Sequence, residues 1–511
     1  MTRSIGFACL LATGVLQTAA SQSPAVKQAA GTITEADVHR RIFLIADDSM
    51  GGRDTPSPGL SKTANYIASE FKRFGLRPGG DSGSYLLKYP IASKAILAGK
   101  STVRFGNSAG DRAIETTLAA GAAWVNGATS ATASASVVLV GGTVVPDSVR
   151  AEDVRDKIVV YVPAPSPQQG RGGFRAQQRL AQLGARAVVV VLESDSMLAN
   201  YQQRQRRPQT TIGDPPRGAP VVAIQQSLII AQVPEAADQF AELRSAATTV
   251  VQPMPDWSGE IALRDTTLSL GYAPDVVGIL EGSDPVLKQE YVVFSAHMDH
   301  IGTAGRPGAQ CAAMGADSIC NGADDDGSGT VGVLELAEAF SQKGARPKRS
   351  MIFLTVSGEE HGLWGSAWFT NHPPAPLPQI VADLNADMIG RNWKDTIVAI
   401  GKEHSDLGST LNRVNSAHPE LHMVAIDDRW PEESFYTRSD HYNFARKGVP
   451  ILFFFNGVHA DYHRPSDSPD KIDAEKESRV VKLLFYLGQE VGNAANRPKW
   501  VAESYRQIVQ L

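Results

Sequence analysis

The sequence predicts an α/β protein with a central mixed, largely parallel sheet flanked by helices, into which a second, mostly β module is inserted. Three observations carry that expectation. From about residue 265, apolar runs that suit buried strands ("EYVVFSA", "SMIFLTV", "QIVADLNAD", "TIVAIG", "VPILFFFNG") alternate with helical stretches, the pattern of a parallel sheet with crossover helices. Val333, Leu336, Ala337 and Phe340 fall at i, i+3, i+4 and i+7, so a helix over 328–342 turns one face to that sheet. Between about residues 115 and 255 the texture changes. "SASVVLVGG", "KIVVYVPAP", "ARAVVVVLES" and "GAPVVAI" are β-branched runs broken by Gly and Pro, with one good helix at "GFRAQQRLAQLGA". That stretch also lacks histidine, since none occurs between His39 and His297.

The start, "MTRSIGFACLLATGVLQTAASQSPA", has one basic residue, an apolar stretch and then small residues around Ala20, a secretory signal pattern cleaved near that point. Its apolar core is short for a membrane span, and no later segment has the uninterrupted length of one. After a polar stretch to about residue 32, "EADVHRRIFLIADD" and "SKTANYIASEFKRFGL" read as helices; Ala64, Ile67, Phe71 and Leu76 give the second an apolar face, and "RPGGDSG" ends it. Short strands follow at "SYLLKYPI" and "STVRF". Within the inserted module, "NYQQRQRRPQTTIGDPPRG" carries several Arg, but Pro and Gly make it a long solvated loop rather than a binding patch. A last helix begins near Asp473.

At 511 residues the chain exceeds a typical compact domain. Its apolar share of 42% and charged share of 20% set the disordered and membrane classes aside. A formal net charge of -5 gives no electrostatic reason to expect nucleic acid as a partner. Of three cysteines, Cys9 lies in the signal segment; Cys311 and Cys320, in a Gly/Ala-rich loop, suit a disulfide in an oxidising compartment, with two free thiols as the alternative.

In such sheets chemistry gathers beyond the carboxyl ends of the strands, and that is where the charged residues sit. "YVVFSAHMDH" places His297 and Asp299 two apart past a strand; an imidazole that binds metal needs its other nitrogen held, often by a carboxylate. "NGADDDGSG" supplies Asp324, Asp325 and Asp326 in a loop opening a helix, more acid than capping requires. Glu359 and Glu360 follow "SMIFLTVSG", Asp387 follows "IVADLNA", and His463 follows "VPILFFFNG". Adjacent glutamates need a compensating cation or exposure to water, and a mixture of His and carboxylate suits Zn²⁺.

In this order, "AHMDHIG", "NGADDDGSG", "GEEHGLWGS", "LNADMIG", "SDHYNF" and "YHRPSD" resemble the successive signatures of the co-catalytic di-zinc aminopeptidase family, which includes bacterial leucyl aminopeptidases, glutamate carboxypeptidase II and the transferrin receptor. "MGGRDTPSPG" and "FGLRPGG" resemble it too, and the inserted module resembles the protease-associated domain that many members carry. The resemblance implies residues 1–20 as signal peptide, 21–114 and 256–511 as the zinc-peptidase domain, and 115–255 as the protease-associated insertion. It implies two zinc ions: His297 and Asp387 on one, Glu360 and His463 on the other, and Asp325, three before Ser328, bridging both. Asp299 would orient His297, Glu359 would be the general base, and Tyr436 would steady a tetrahedral intermediate. The peptide after Asp325 would be cis. His459 rivals His463, but the Tyr-His-x-x-x-Asp context favours His463. His300 and His361 read as supporting or exposed residues, His441 as structural or pocket-lining, and Asp324 and Asp326 as loop-shaping.

The expected activity is that of an exported aminopeptidase acting on peptides. A carboxypeptidase or dipeptidase on the same scaffold is the enzymatic rival; it would need Arg to clamp a substrate carboxylate, and Arg391, Arg429 and Arg438 lie in pocket-adjacent sequence. A non-catalytic, receptor-like binding protein is the rival from another class, and would not need the donors or Glu359.

Overall fold

The computed structural model describes residues 23–142, 148–164, 171–213, 218–305 and 309–509, so the expected signal segment lies outside the described residues. The chain divides into two compact units, one comprising residues 89–272 and the other the chain before and after it.

The unit of residues 89–272 holds an eight-stranded sheet. Ala131–Gly142, Ile158–Pro163, Ala187–Leu192 and Val221–Gln225 run parallel in that order. Val250–Leu263 pairs antiparallel with both Ala131–Gly142 and Thr102–Asn107. That last pairing is why the compact unit begins well before residue 115: Phe105 sits opposite Gly259, a long-range partnership no local pattern announces. The unit is also richer in helix than its sequence texture suggests. Part of the stretch expected to be one long loop is the helix Asp195–Gln205 and the strand Gln209–Ile212. Polar side chains anchor that helix: Gln205 donates to Leu118 O at 2.8 Å and accepts from Trp124 N at 2.7 Å. Hydrogen bonds of this kind leave no apolar period to read.

The other unit is built on seven principal strands: β1 (Asp265–Leu280, which enters it at residue 273), β2 (Tyr291–His297), β3 (Ser350–Val356), β4 (Ile380–Ala386), β5 (Thr396–Ile400), β6 (Val424–Ile426) and β7 (Ile451–Phe454). Their spatial order is β6-β5-β7-β4-β2-β3-β1. β3, β2, β4 and β7 are mutually parallel, while β1 and β5 join them antiparallel, giving a mixed, largely parallel sheet. Nearly every residue of β2, β3, β4 and β7 is buried, as expected of strands covered on both faces.

Three helices position the charged loops at the strand ends: α1 (Glu35–Ile45), α2 (Gly329–Phe340) and α3 (Ala474–Asn493). The sequence gives α2 one apolar face, yet every residue of it except Glu338 is buried. α2 packs on β2, β3 and β4 and is itself covered by α1 and α3. Its buried Glu335 is met by the fully buried Arg41 of α1, which also pairs with Glu338 and, at 3.3 Å, with Glu70. α2 is thereby fixed firmly, and with it the acidic loop at its start.

Candidate metal centre

Register brings the strand ends level. His297, the last residue of β2, sits opposite Val356, the last of β3. Asp387 follows β4 and its backbone N donates to Phe454 O at the end of β7 at 3.0 Å. His297, Glu359, Glu360, Asp387 and His463 therefore all leave the same edge of the sheet, the edge where parallel α/β sheets place their ligands.

Asp325 arrives from the loop before α2, where the Asp325–Asp326 peptide is cis. The neighbouring aspartates hold that loop to the strands. Asp326 accepts from His297 N at 3.0 Å, Gly329 N at 2.8 Å and Met388 N at 3.2 Å. Asp324 accepts from Gly390 N at 2.8 Å. Asp467 accepts from the backbone N of Asp324 and of Asp325. Two strand ends and one helix start are thus tied together by buried carboxylates.

Among the described residues, two sets of donors could each hold a metal ion: His297, Asp325 and Asp387; and His300, Asp325 and Glu360. His463 joins the second set. Asp325 faces both ways. Its Oδ1 lies 3.4 Å from His297 Nε2, which is 3.7 Å from Asp387 Oδ1. Its Oδ2 lies 3.2 Å from His463 Nε2, which is 3.1 Å from Glu360 Oε2. Ligands about 2.0–2.1 Å from a tetrahedral zinc are separated by about 3.3 Å, so these spacings fit a shared ion in each set better than a network of hydrogen bonds. Several donor atoms are also buried with no hydrogen-bond partner, among them Asp325 Oδ2, Glu360 Oε1 and His463 Nε2. Orphaned buried polar atoms are costly, and a cation between them removes the cost.

Charge balance points the same way. Burial drives the Glu359 carboxyl well above the usual range, with Glu360, Asp440 and Asp387 adding to the rise. Burial also raises Asp387. Burial opposes protonation of His297, but Asp387, Glu359, Asp299 and Asp325 outweigh it and raise that ring well above its ordinary value.

Asp299 holds more than His297. His297 Nδ1 is 3.2 Å from the Asp299 carbonyl oxygen and 3.7 Å from its carboxylate. The carboxylate instead accepts from Thr55 Oγ1 at 3.1 Å and Glu359 N at 3.3 Å. One residue thus positions both the ring and the loop carrying Glu359.

His297, Asp325, Glu359 and Asp387 line a pocket of about 40 Å³ whose other walls include Met388, Phe435, Phe453, Phe455, Val458, Arg438 and Tyr462. Tyr436 is not among them. Its ring packs on His404, 4.6 Å between centroids, and its hydroxyl is buried without a partner. Phe435 takes the pocket-facing place in that short turn. The tyrosine that does face the pocket is Tyr462, stacked on His463 at 3.9 Å. Burial, together with Asp325, Glu360, Asp387 and Glu359, pushes its phenol up, so it stays a hydrogen-bond donor. Adjacency to His463 in "DYHRPSD" is the signal that could have singled it out.

The remaining candidates fall elsewhere. His459 Nε2 is 3.2 Å from Asp324 Oδ2, outside both donor sets. His441 is stacked on Phe453 at 4.2 Å, and burial lowers its ring to about 3, so it is neutral. His361 meets Asp54 at 2.9 Å. Arg391 pairs with Asp461 at 2.8 Å and Arg429 lies over Trp393, leaving Arg438 as the one of the three that lines the pocket.

Residues 275–488 match the sequence model for Peptidase family M28. That stretch, rather less than half of the chain, is similar to the family. All six motifs that suggested a co-catalytic zinc aminopeptidase lie inside the matched residues. A probable leucine aminopeptidase from Arthroderma otae is 29% identical over 230 residues, 43% of this chain and 58% of that protein. Aminopeptidase YwaD from Bacillus subtilis is 26% identical over 195 residues, 36% of this chain and 41% of that protein. The chain therefore spans less than two thirds of either relative. An aminopeptidase from Aneurinibacillus sp. strain AM-1, of known structure, aligns over 92% of this chain and 97% of its own, at 17% identity and a TM-score of 0.47.

Proposed function

We propose that this protein is an exported di-zinc aminopeptidase that removes N-terminal residues from peptides. One observation carries the reading: the two oxygens of Asp325 face two separate donor sets, with Glu359 in the same pocket. The set fits Zn²⁺ in donor chemistry and spacing, with His297, Asp387 and Asp325 for one ion and Glu360, His463 and Asp325 for the other. Zinc held there would lower the pKa of a water and polarise the scissile carbonyl. Glu359, in the same pocket, would take a proton from that water and return it to the departing amine. Asp299 keeps the Glu359 backbone and the His297 ring in place. Tyr462, held as a neutral phenol at the pocket wall, takes the role expected of Tyr436 and donates to the oxygen on which charge develops. The names of the curated relatives support the choice of aminopeptidase.

Export is supported by the signal-like start and by the Cys311–Cys320 disulfide, a bond that persists in oxidising compartments. Among the described residues no helix is long and apolar enough to cross a membrane. We read residues 89–272 as the inserted protease-associated domain. Arg438 at the pocket keeps carboxypeptidase action as a second reading.

The test is mass spectrometry of a peptide pool incubated with the mature protein, each peptide supplied free and N-acetylated. Stepwise loss from free N-termini alone, stopped by a chelator, is the expected result. Trimming of acetylated peptides from the other end would move the activity to a carboxypeptidase. Zinc bound with no cleavage of any peptide would favour the receptor-like binding protein.

A further inference from the structure

One buried ring stands against the second donor set without belonging to the five expected ligands. His300, one residue beyond Asp299, is fully buried, and neither of its ring nitrogens makes a hydrogen bond. Its Nδ1 nevertheless lies 2.8 Å from Glu360 Oε1 and 3.6 Å from Asp325 Oδ2. Glu360 Oε1 is likewise without a hydrogen bond, so the 2.8 Å approach is too far off axis to be one. Two donors that converge without bonding each other are arranged as ligands of a third body.

The ring's seat is built into the backbone. Gly322 adopts φ 59°, and a Cβ there would stand 2.5 Å from His300 Cγ, so only glycine leaves room for the imidazole. On its other side His300 meets His463 edge-on, with centroids 5.6 Å apart. An imidazole enclosed this closely, with neither nitrogen in a hydrogen bond, is unfavourable unless something else satisfies it.

We propose that His300 is a further ligand of the second cation, beside His463, Glu360 and Asp325. This rests on the two-cation reading and adds an asymmetry to it. The second position gains four protein donors, whereas the first has three, His297, Asp387 and Asp325. Closed four-ligand sites are structural, and three-ligand sites keep a place for water. The pocket agrees: its walls include His297, Asp387 and Glu359, but not His300, Glu360 or His463. On this reading the His297–Asp387 side would keep the place for the reacting water, and the second cation would supply fixed positive charge.

The test compares wild type, His300→Ala and His300→Gln for zinc affinity, by competition with a chromophoric chelator, with circular dichroism to verify folding. A residue that merely orients a ligand costs about 10–100-fold in metal affinity. The expected result is a loss above about 100-fold for one zinc equivalent in both variants, with the other equivalent unchanged. A smaller loss, or recovery in His300→Gln, which can still hydrogen-bond, overturns the proposal. Independently of any variant, the cobalt-substituted wild type should show hyperfine-shifted ring N–H signals in proton NMR from His297, His300 and His463; signals from His297 and His463 alone overturn it. Wild type that takes up no zinc would instead sink the two-cation reading and this inference together.

Discussion

In residues 89–272 the parallel strands Ala187–Leu192 and Val221–Gln225 end in Glu193 and Gln226. Glu193 is 61% exposed and pairs with Arg244 at 3.1 Å. In the other unit, β2, β3 and β4 end in His297, the Glu359–Glu360 pair and Asp387, all turned toward one buried site. Both units place parallel strands side by side under helices. One finishes its strands with solvated or neutral groups; the other finishes them with acids and imidazoles packed against one another in a buried site. The fold alone offers strand ends, and function depends on what is buried there. Donor atoms buried there without a hydrogen-bond partner are the trace of a cation site.

That comparison can be broken at several points. The largest effect is expected for Glu359→Gln, which should lower kcat by about 10²–10⁴-fold while zinc content by elemental analysis stays at the wild-type level. Unchanged turnover would remove Glu359 from proton transfer. Next comes Arg41→Met, which strips the buried Glu335 of its partner. It should cost about 3–5 kcal/mol in denaturant unfolding, and a cost below about 1 kcal/mol would show that α1 and α2 do not depend on the pair. Tyr462→Phe should lower kcat by about 10²-fold, whereas Tyr436→Phe, whose ring lies against His404, should leave it near wild type; the reverse ranking would restore Tyr436 to the site. Smallest of all is Glu193→Gln at a strand end of residues 89–272. It should change stability by no more than about 0.5 kcal/mol and leave zinc uptake as it was.

How much of this was legible in the sequence depends on the kind of interaction that fixes each part. β2, β3, β4 and β7 announce themselves because both of their faces are buried and their residues run apolar without a break. His297, Glu360 and Asp387 stand out because hydrophilic residues so soon after such runs have no packing reason to be there, and Asp325 because three acids open one helix. Burial of α2 on all sides was not readable, since Glu335 looks like a solvent residue until Arg41, nearly three hundred positions away, is placed on it. Tyr436 against Tyr462 depends on which way a short turn points its rings, and neither motif states that. His300 hides for a similar reason: next to Asp299 it looks like one more polar loop residue, and only the space left by Gly322 shows where its ring goes. The start of the inserted unit depended on Thr102–Asn107 finding Val250–Leu263 across the chain.

The central claim is that Asp325 serves two cations at once. Zinc titration of the metal-free protein, followed by activity and elemental analysis together, tests it most directly, with Asp325→Ala alongside. The account predicts activity that plateaus at two zinc equivalents in the wild type, and an Asp325→Ala variant that is inactive and holds neither ion tightly. A plateau at one equivalent, or a variant that still binds two, would contradict it.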